Sequence, residues 1–220
     1  MPVRDQARAG KPKGYRSANQ SKWEFSNGLY QRHLELYLDR MYHFLSRSGA
    51  QNVLDAGCGE GIVYRAMRER GYRGAWTGFD FSRQAVEFAR KSSPEARWQH
   101  ASAYSIPFAA ASFDLVFSSQ VLEHLTNPQI PLREYARVSA RWILLSVPLE
   151  PYFRTLTWLS VHLHIGGDPG HVNFWTPHAF RNFVRPAAHL RHWERTTVYQ
   201  IALLEKPQPN TTVGALQRLG

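Results

Sequence analysis

Residues 53–61, VLDAGCGEG, pass from an apolar run into an acid and then into glycines at positions 57, 59 and 61. A backbone that must turn sharply and let a ligand lie against it needs residues without Cβ at such points. The segment therefore reads as the carboxyl end of a buried parallel strand, where nucleotide-like ligands bind. Its spacing excludes two alternatives. The dinucleotide fingerprint G-x-G-x-x-G needs glycine at 62, where Ile62 stands, and no G-x-x-x-x-G-K-[ST] follows.

A second acid extends the pattern. Trp76 to Asp80, WTGFD, reads as another short strand ending in a carboxylate, and Val63 to Arg70 between the two suits a helix stopped by Gly71. Strand, glycine turn, helix, strand and acid make a βαβ unit that puts Asp80 beside the turn. There a carboxylate can accept both hydroxyls of a ribose. Ser82 is the better cap for the following helix, which leaves Asp80 free for that role. Further strands are expected near 96–101, 113–118 and 141–147, with helices between them, so the sheet is parallel with helices on both faces. Residues 28–47 carry apolar residues at 34, 38, 41, 42 and 45, a helical period, and this helix is expected to pack on the sheet edge or help cover the ligand.

VLDAGCGEG, TGFDFS, Ile106-Pro107-Phe108 and SFDLVFSSQVLEHL at 112–125 together resemble the class I S-adenosylmethionine-dependent methyltransferases, in the small-molecule, type 11-like branch. The resemblance covers residues 50–150. It implies an α/β, Rossmann-like, doubly wound, mostly parallel seven-stranded sheet whose last strand is antiparallel, with Val198–Leu204 as that strand. It also implies a helical, aromatic cap after the fifth strand, and S-adenosylmethionine as cofactor.

The same resemblance assigns cofactor-binding roles. Gly57, Gly59 and Gly61 approach the methionine moiety, Asp80 takes the ribose, and Phe81 covers the adenine face. Asp55 holds the cofactor's amino group, or else bonds the turn's own amides. Relatives carry an acid for the adenine amino group where this chain has Ser102, followed by Ala103; an uncharged hydroxyl predicts weaker adenine selection. Gln120 is expected near the methionine end and the substrate chamber. Gln120 to His124, QVLEH, resembles the Glu-x-x-Glu-His segment that holds a divalent ion in ubiquinone-type and small-RNA methyltransferases. The first acid is missing, and one carboxylate with one imidazole is a poor Mg²⁺ site, so no metal is expected.

Methyl transfer needs alignment of the acceptor and removal of a proton, and His titrates nearest neutral pH. His171 is the preferred general base, following the flexible Gly166-Gly167-Asp168-Pro169-Gly170 run, with His124 as the second candidate. The alternative is that His171 and Trp175 only staple the loop to the sheet. Within the cap, 149–181, residues such as Tyr152, Phe153, Trp158 and Leu163 favour an aromatic or lipid-like acceptor, and a peripheral membrane contact is a further option. His162 and His164 stand too close in sequence to share a helical face. Thr176-Pro177 reads as a helix start.

The chain has 220 residues, enough for one α/β domain. The expected organisation is a mobile basic arm at 1–22, one methyltransferase domain at 23–205 and a frayed tail at 206–220. The single Cys58 excludes an internal disulfide framework, and no apolar stretch suits a secretory signal or a membrane span, so a cytoplasmic protein is expected. The net charge of +10 invites a nucleic-acid reading, but the arginines are spread along the chain and no nucleic-acid-binding module is visible. A small-molecule methyltransferase is the leading expectation. An RNA-modifying methyltransferase and a non-catalytic cofactor-binding scaffold are the alternatives.

Overall fold

The structure, a computed structural model, describes residues 28–151 and 170–207. The expected arm, most of the expected tail and the central part of the cap, with His162 and His164, lie outside the described residues. The chain divides between residues 35 and 36, within the first helix, and the unit from 36 onward contains every strand of the sheet.

Elements in chain order are α1 (Gly28–Ser48), β1 (Asn52–Ala56), α2 (Ile62–Glu69), β2 (Ala75–Asp80), α3 (Arg83–Ser92), β3 (Arg97–His100), β4 (Phe113–Ser119), a 3₁₀ turn (Leu122–His124), α4 (Gln129–Val138), β5 (Ser139–Pro148), α5 (Pro177–Val184), β6 (His189–Arg195) and β7 (Tyr199–Glu205). The seven strands form one sheet in the order β3-β2-β1-β4-β5-β7-β6. Pairings from β3 through β5 are parallel, and β7 runs antiparallel to both neighbours. This is the doubly wound, Rossmann-like sheet expected from the sequence.

The central strands are apolar because both faces are covered, as parallel sheets require. Val53, Leu54, Leu115, Val116, Phe117, Ile143, Leu144 and Leu145 are all fully buried. On one face an aromatic layer joins the helices to the sheet: Tyr64 of α2 contacts Trp76 and Trp98 at centroid distances of 5.6 and 5.4 Å. On the other, Leu54, Val116, Ile143 and Leu145 pack with Tyr135 of α4, Trp175 and Phe180. The α2 helix stops as its sequence demands, with Gly71 at φ 104 donating to Arg68 O and Tyr72 N to Met67 O. Thr176 caps α5 through its Oγ1, which accepts from Ala179 N at 3.3 Å. No glycine turn separates α4 from β5, Val138 being followed at once by Ser139. Lys206, the first residue of the expected tail, is tied to β5: its amide donates to Arg141 O and its Nζ to Ser139 O.

The chain leaves β1 toward β2 and β3, then returns to place β4 on β1's other side. That reversal opens a crevice at the carboxyl ends of β1 and β4, the ligand position of such sheets. The glycine turn and the VLEH segment both start there.

Candidate functional site

The turn after β1 satisfies its own amides. Gly57 N and Cys58 N both donate to Phe79 O at 2.9 Å, and Gly61 N donates to Cys58 O at 3.0 Å. Gly59 N goes instead to Asp80 Oδ2 at 2.9 Å. The glycines are demanded by the protein as well as by any ligand. A Cβ on Gly57, at φ 80, would stand 2.5 Å from Val121 Cγ2, and one on Gly61 would meet the Trp98 ring at 2.9 Å. Cys58 is buried within the turn, and burial together with Asp55 and Asp80 raises its thiol well above the usual range. It is a spacer rather than a nucleophile.

The two acids divide their work in the reverse of the simplest expectation. Asp80 is not free: Oδ2 accepts from Gly59 N and Oδ1 from Ser82 N at 2.8 Å. The carboxylate fastens the turn to the end of β2, because an acid at the end of a short strand is within reach of both loops. Each oxygen keeps a second lone pair, so the pair of acceptors a ribose needs remains. Ser82 is the cap, its Oγ accepting from Ala85 N at 3.2 Å.

Asp55 is 1% exposed, and no described group hydrogen-bonds its Oδ2. Of its two expected roles, bonding the turn's amides is not realised, since those amides go to Phe79, Asp80 and Cys58. Burial raises its pKa from 3.8 to about 7, an effect offset in part by the Trp76 side chain and reinforced by the charge of Asp80. A buried carboxyl with an open oxygen is a site for a cationic group.

Phe81 is 77% exposed, its ring 6.0 Å from that of His100, whose Nε2 lies 3.0 Å from Phe81 O. Ser102 Oγ accepts from Tyr104 N at 3.2 Å, and Ala103 is half-buried in the same loop. One lone pair of the Ser102 hydroxyl is thus taken by the loop, which further limits it as a substitute for an acid.

Gln120 follows β4 with φ 58; it and Ala111 are the non-glycine residues at positive φ among those described. Its amide donates to Ser146 O and its Nε2 to Ser146 Oγ, both at 3.1 Å. Tyr37, Ser119 and Ser146 form the adjoining hydrogen-bonded cluster, which sequence reading missed. The signal was present: Tyr37 shares the helical face of Met41, Phe44 and Leu45.

Beyond Val121, the 3₁₀ turn presents Glu123, fully buried, and His124, exposed. The segment from 170 returns against it. Val172 N and Asn173 N donate to Glu123 O at 2.8 and 3.0 Å, and Asn173 Nδ2 donates to Leu122 O and Leu125 O. His171 thereby lies edge-on to His124, ring centroids 4.8 Å apart, while Gly170 O lies 3.3 Å from His124 Nδ1. Asn173 and buried Trp175, whose carbonyl accepts from Glu150 N and Gln200 Nε2, staple the segment to the sheet. The two candidate bases, far apart in sequence, are brought together. One ligating atom each of Glu123, His124 and His171 also falls within 4.8 Å of the others. Two imidazoles and a carboxylate could hold a transition ion; for Mg²⁺, which prefers oxygen, the set stays poor. Val172 and Phe174 are exposed beside the pair, an apolar rim.

S-adenosylmethionine fits these residues: an ammonium for the open oxygen of Asp55, hydroxyls for the lone pairs of Asp80, a flat base for exposed Phe81.

Residues 54–141 match the family model described as a methyltransferase domain. The chain is 31% identical over 170 residues to a ubiquinone biosynthesis O-methyltransferase of Idiomarina loihiensis, covering 70% of this chain and 63% of that protein. It is 33% identical over 112 residues to a malonyl-[acyl-carrier protein] O-methyltransferase of Enterobacter lignolyticus, covering 50% and 44% respectively. The chain thus spans about half the length of the curated relatives it matches. Among solved structures, a magnesium protoporphyrin IX methyltransferase from Synechocystis with bound SAH shares the fold, with a TM-score of 0.68 at 15% identity, over 87% of this chain and 95% of that one.

Proposed function

We propose that this chain, which belongs to the class I S-adenosylmethionine-dependent methyltransferases and uses that cofactor, transfers a methyl group to a small aromatic or lipid-like acceptor. The observation that carries the reading is the open, buried oxygen of Asp55 beneath the glycine turn. It suits the cofactor's ammonium. Bound cofactor supplies a methyl group already activated on a sulfonium.

The chain's residues hold and orient. Asp55 binds the amino group, Asp80 the ribose hydroxyls, Phe81 the adenine face, and Ser102 and Ala103 the adenine edge. The backbone of Gly57, Gly59 and Gly61 lies along the methionine moiety, with Gln120 at its end. His171, supported by His124 at 4.8 Å, accepts the proton released by a hydroxyl, amine or carbon acid. The apolar acceptor class is supported by exposed Val172 and Phe174 beside the two imidazoles, and by the aromatic composition of 149–181. Two of the relatives are named for ubiquinone biosynthesis and for a malonyl-[acyl-carrier protein], which agrees with an apolar or acyl-linked acceptor.

Cell extracts incubated with radiolabelled methyl donor and the protein should yield a labelled, organic-extractable product. His171→Ala should lower its formation at least about 100-fold while leaving cofactor affinity unchanged. Label appearing only in RNA would refute the acceptor class, and unaltered turnover in His171→Ala would remove it as the base.

A further inference from the structure

The carboxyl ends of β4 and β5 carry a buried polar cluster whose parts come from three elements. Ser119 and Ser146 are register partners across the two strands. The Tyr37 phenol, reaching in from α1, stands 2.6 Å from each serine Oγ. Tyr37 is 3% exposed and Ser146 1%, so neither group has solvent as an alternative partner. The hydrogens close without a clash: Tyr37 donates to one serine and accepts from the other, and Ser146 also accepts from Gln120 Nε2. Burial raises the phenol's pKa to about 12, so it keeps its proton throughout the physiological range.

Ser146 grips Gln120 at both main chain and side chain. Gln120 needs that grip. At φ 58 a glutamine backbone is strained, because its Cβ crowds the following carbonyl. Such conformations persist where surrounding structure over-determines them, and they concentrate at ligand sites. The next residue, Val121, fills the space a Cβ on Gly57 would take, so Gln120 adjoins the glycine turn. Nε2 is anchored to Ser146 through one of its two hydrogens, and the carboxamide oxygen, which can only accept, is the acceptor this side chain offers a ligand.

We propose that Tyr37 is a positioning residue for the transfer site: through Ser119 and Ser146 it holds Gln120 in its left-handed conformation, with the carboxamide oxygen kept for a hydrogen-bond donor of the cofactor's methionine end. The proposal rests on the reading of Gln120 as a cofactor-binding residue. It gives the cofactor's donor groups two acceptors from different strands, Asp55 on β1 and Gln120 after β4.

The test is a double-mutant cycle read by calorimetry with S-adenosylmethionine on the full chain. Tyr37→Phe keeps the ring and removes both hydrogen bonds. Gln120→Asn tolerates the left-handed backbone but shortens the reach to Ser146. Each single change should weaken binding about 5-fold or more, and the double variant should bind no worse than the weaker-binding single one. Ser146→Ala, a smaller perturbation, should behave as Tyr37→Phe does and serves where the latter fails to fold. A purely structural tyrosine would lower the melting temperature of the cofactor-free protein and leave affinity unchanged. Unchanged affinity in Tyr37→Phe and Ser146→Ala, or effects that multiply in the double variant, overturns the positioning role alone. Wild-type protein that binds no S-adenosylmethionine overturns the proposed function, and this inference with it.

Discussion

Asp55 carries a carboxyl oxygen that no described group bonds, and burial holds its pKa at about 7 against 3.8 in an unfolded chain. Between those values the folded, cofactor-free protein binds more protons than the unfolded one. Stability is therefore greatest below pH 4, falls as pH rises toward 7, and levels off above it, as far as this group is concerned. The full span is at most about 4 kcal/mol. Urea titrations from pH 4 to 8 should show this slope, and Asp55→Asn should remove it; an unchanged slope in the variant would place the proton elsewhere. An ammonium beside Asp55 favours the ionised form, so the cofactor should bind tighter as pH rises from 5 to 7 and release a proton on binding. Calorimetry in two buffers of different ionisation enthalpy reads that proton directly. Asp80 behaves oppositely. Its oxygens are engaged by Gly59 N and Ser82 N, so Asp80→Ala should cost about 1–3 kcal/mol even without ligand, besides weakening the cofactor. Sequence identified both acids but not this division of labour. Which acid a turn's amide selects depends on angles that residue spacing does not contain.

At the scale of elements, the site is a meeting of two strand ends, and its tolerances are set by their contact. Gly57→Ala would place a methyl group 2.5 Å from Val121 at φ 80, so the turn or the start of the 3₁₀ segment must move. Loss of about 1–3 kcal/mol is expected in denaturant melts. Adding Val121→Ala should recover the steric part of the loss but not the part due to φ. Strict additivity of the two changes would show that Val121 and Gly57 do not share the space. The elements themselves were largely readable. Five strands, the helix before Gly71 and the helix after Thr176 follow from apolar runs, caps and glycine stops. The strand β6 was not, because His189–Arg195, HLRHWER, is an edge strand without a buried residue and with no clean alternation. Nor was the approach of His171 to His124, which Asn173 secures through three backbone carbonyls of the VLEH segment and its next residue: Leu122, Glu123 and Leu125. Asn173→Ala should loosen that staple and reduce turnover with little change in cofactor affinity. Treatment with a chelator gives a complementary result: a protein whose imidazoles act as bases keeps its turnover in EDTA, whereas one that uses Glu123, His124 and His171 to bind an ion loses it.

Across the whole molecule, charge and fold give separate information. Part of the arginine excess is engaged in the fold, as in the Arg141–Glu205–Arg191 triplet that joins β5, β7 and β6 and the Arg137–Glu134 pair on α4. Among the described residues no helix is long and apolar enough to cross a membrane. The sheet order places the glycine turn, Asp80, Gln120 and the two imidazoles at one end of the parallel strands, the ligand position of such sheets. The family motifs made the fold and the cofactor readable because they are local in sequence. The acceptor was not, since the segment that would select it is defined by apolar composition alone. The most direct measurement is calorimetric titration of S-adenosylmethionine into wild-type protein and Asp55→Asn at pH 7. The wild type should bind with 1:1 stoichiometry and release of a fraction of a proton, and the variant should bind at least about 10-fold more weakly without that release. A wild type that shows no binding, or a variant that binds equally well, would contradict the assignment of the buried carboxyl to the cofactor.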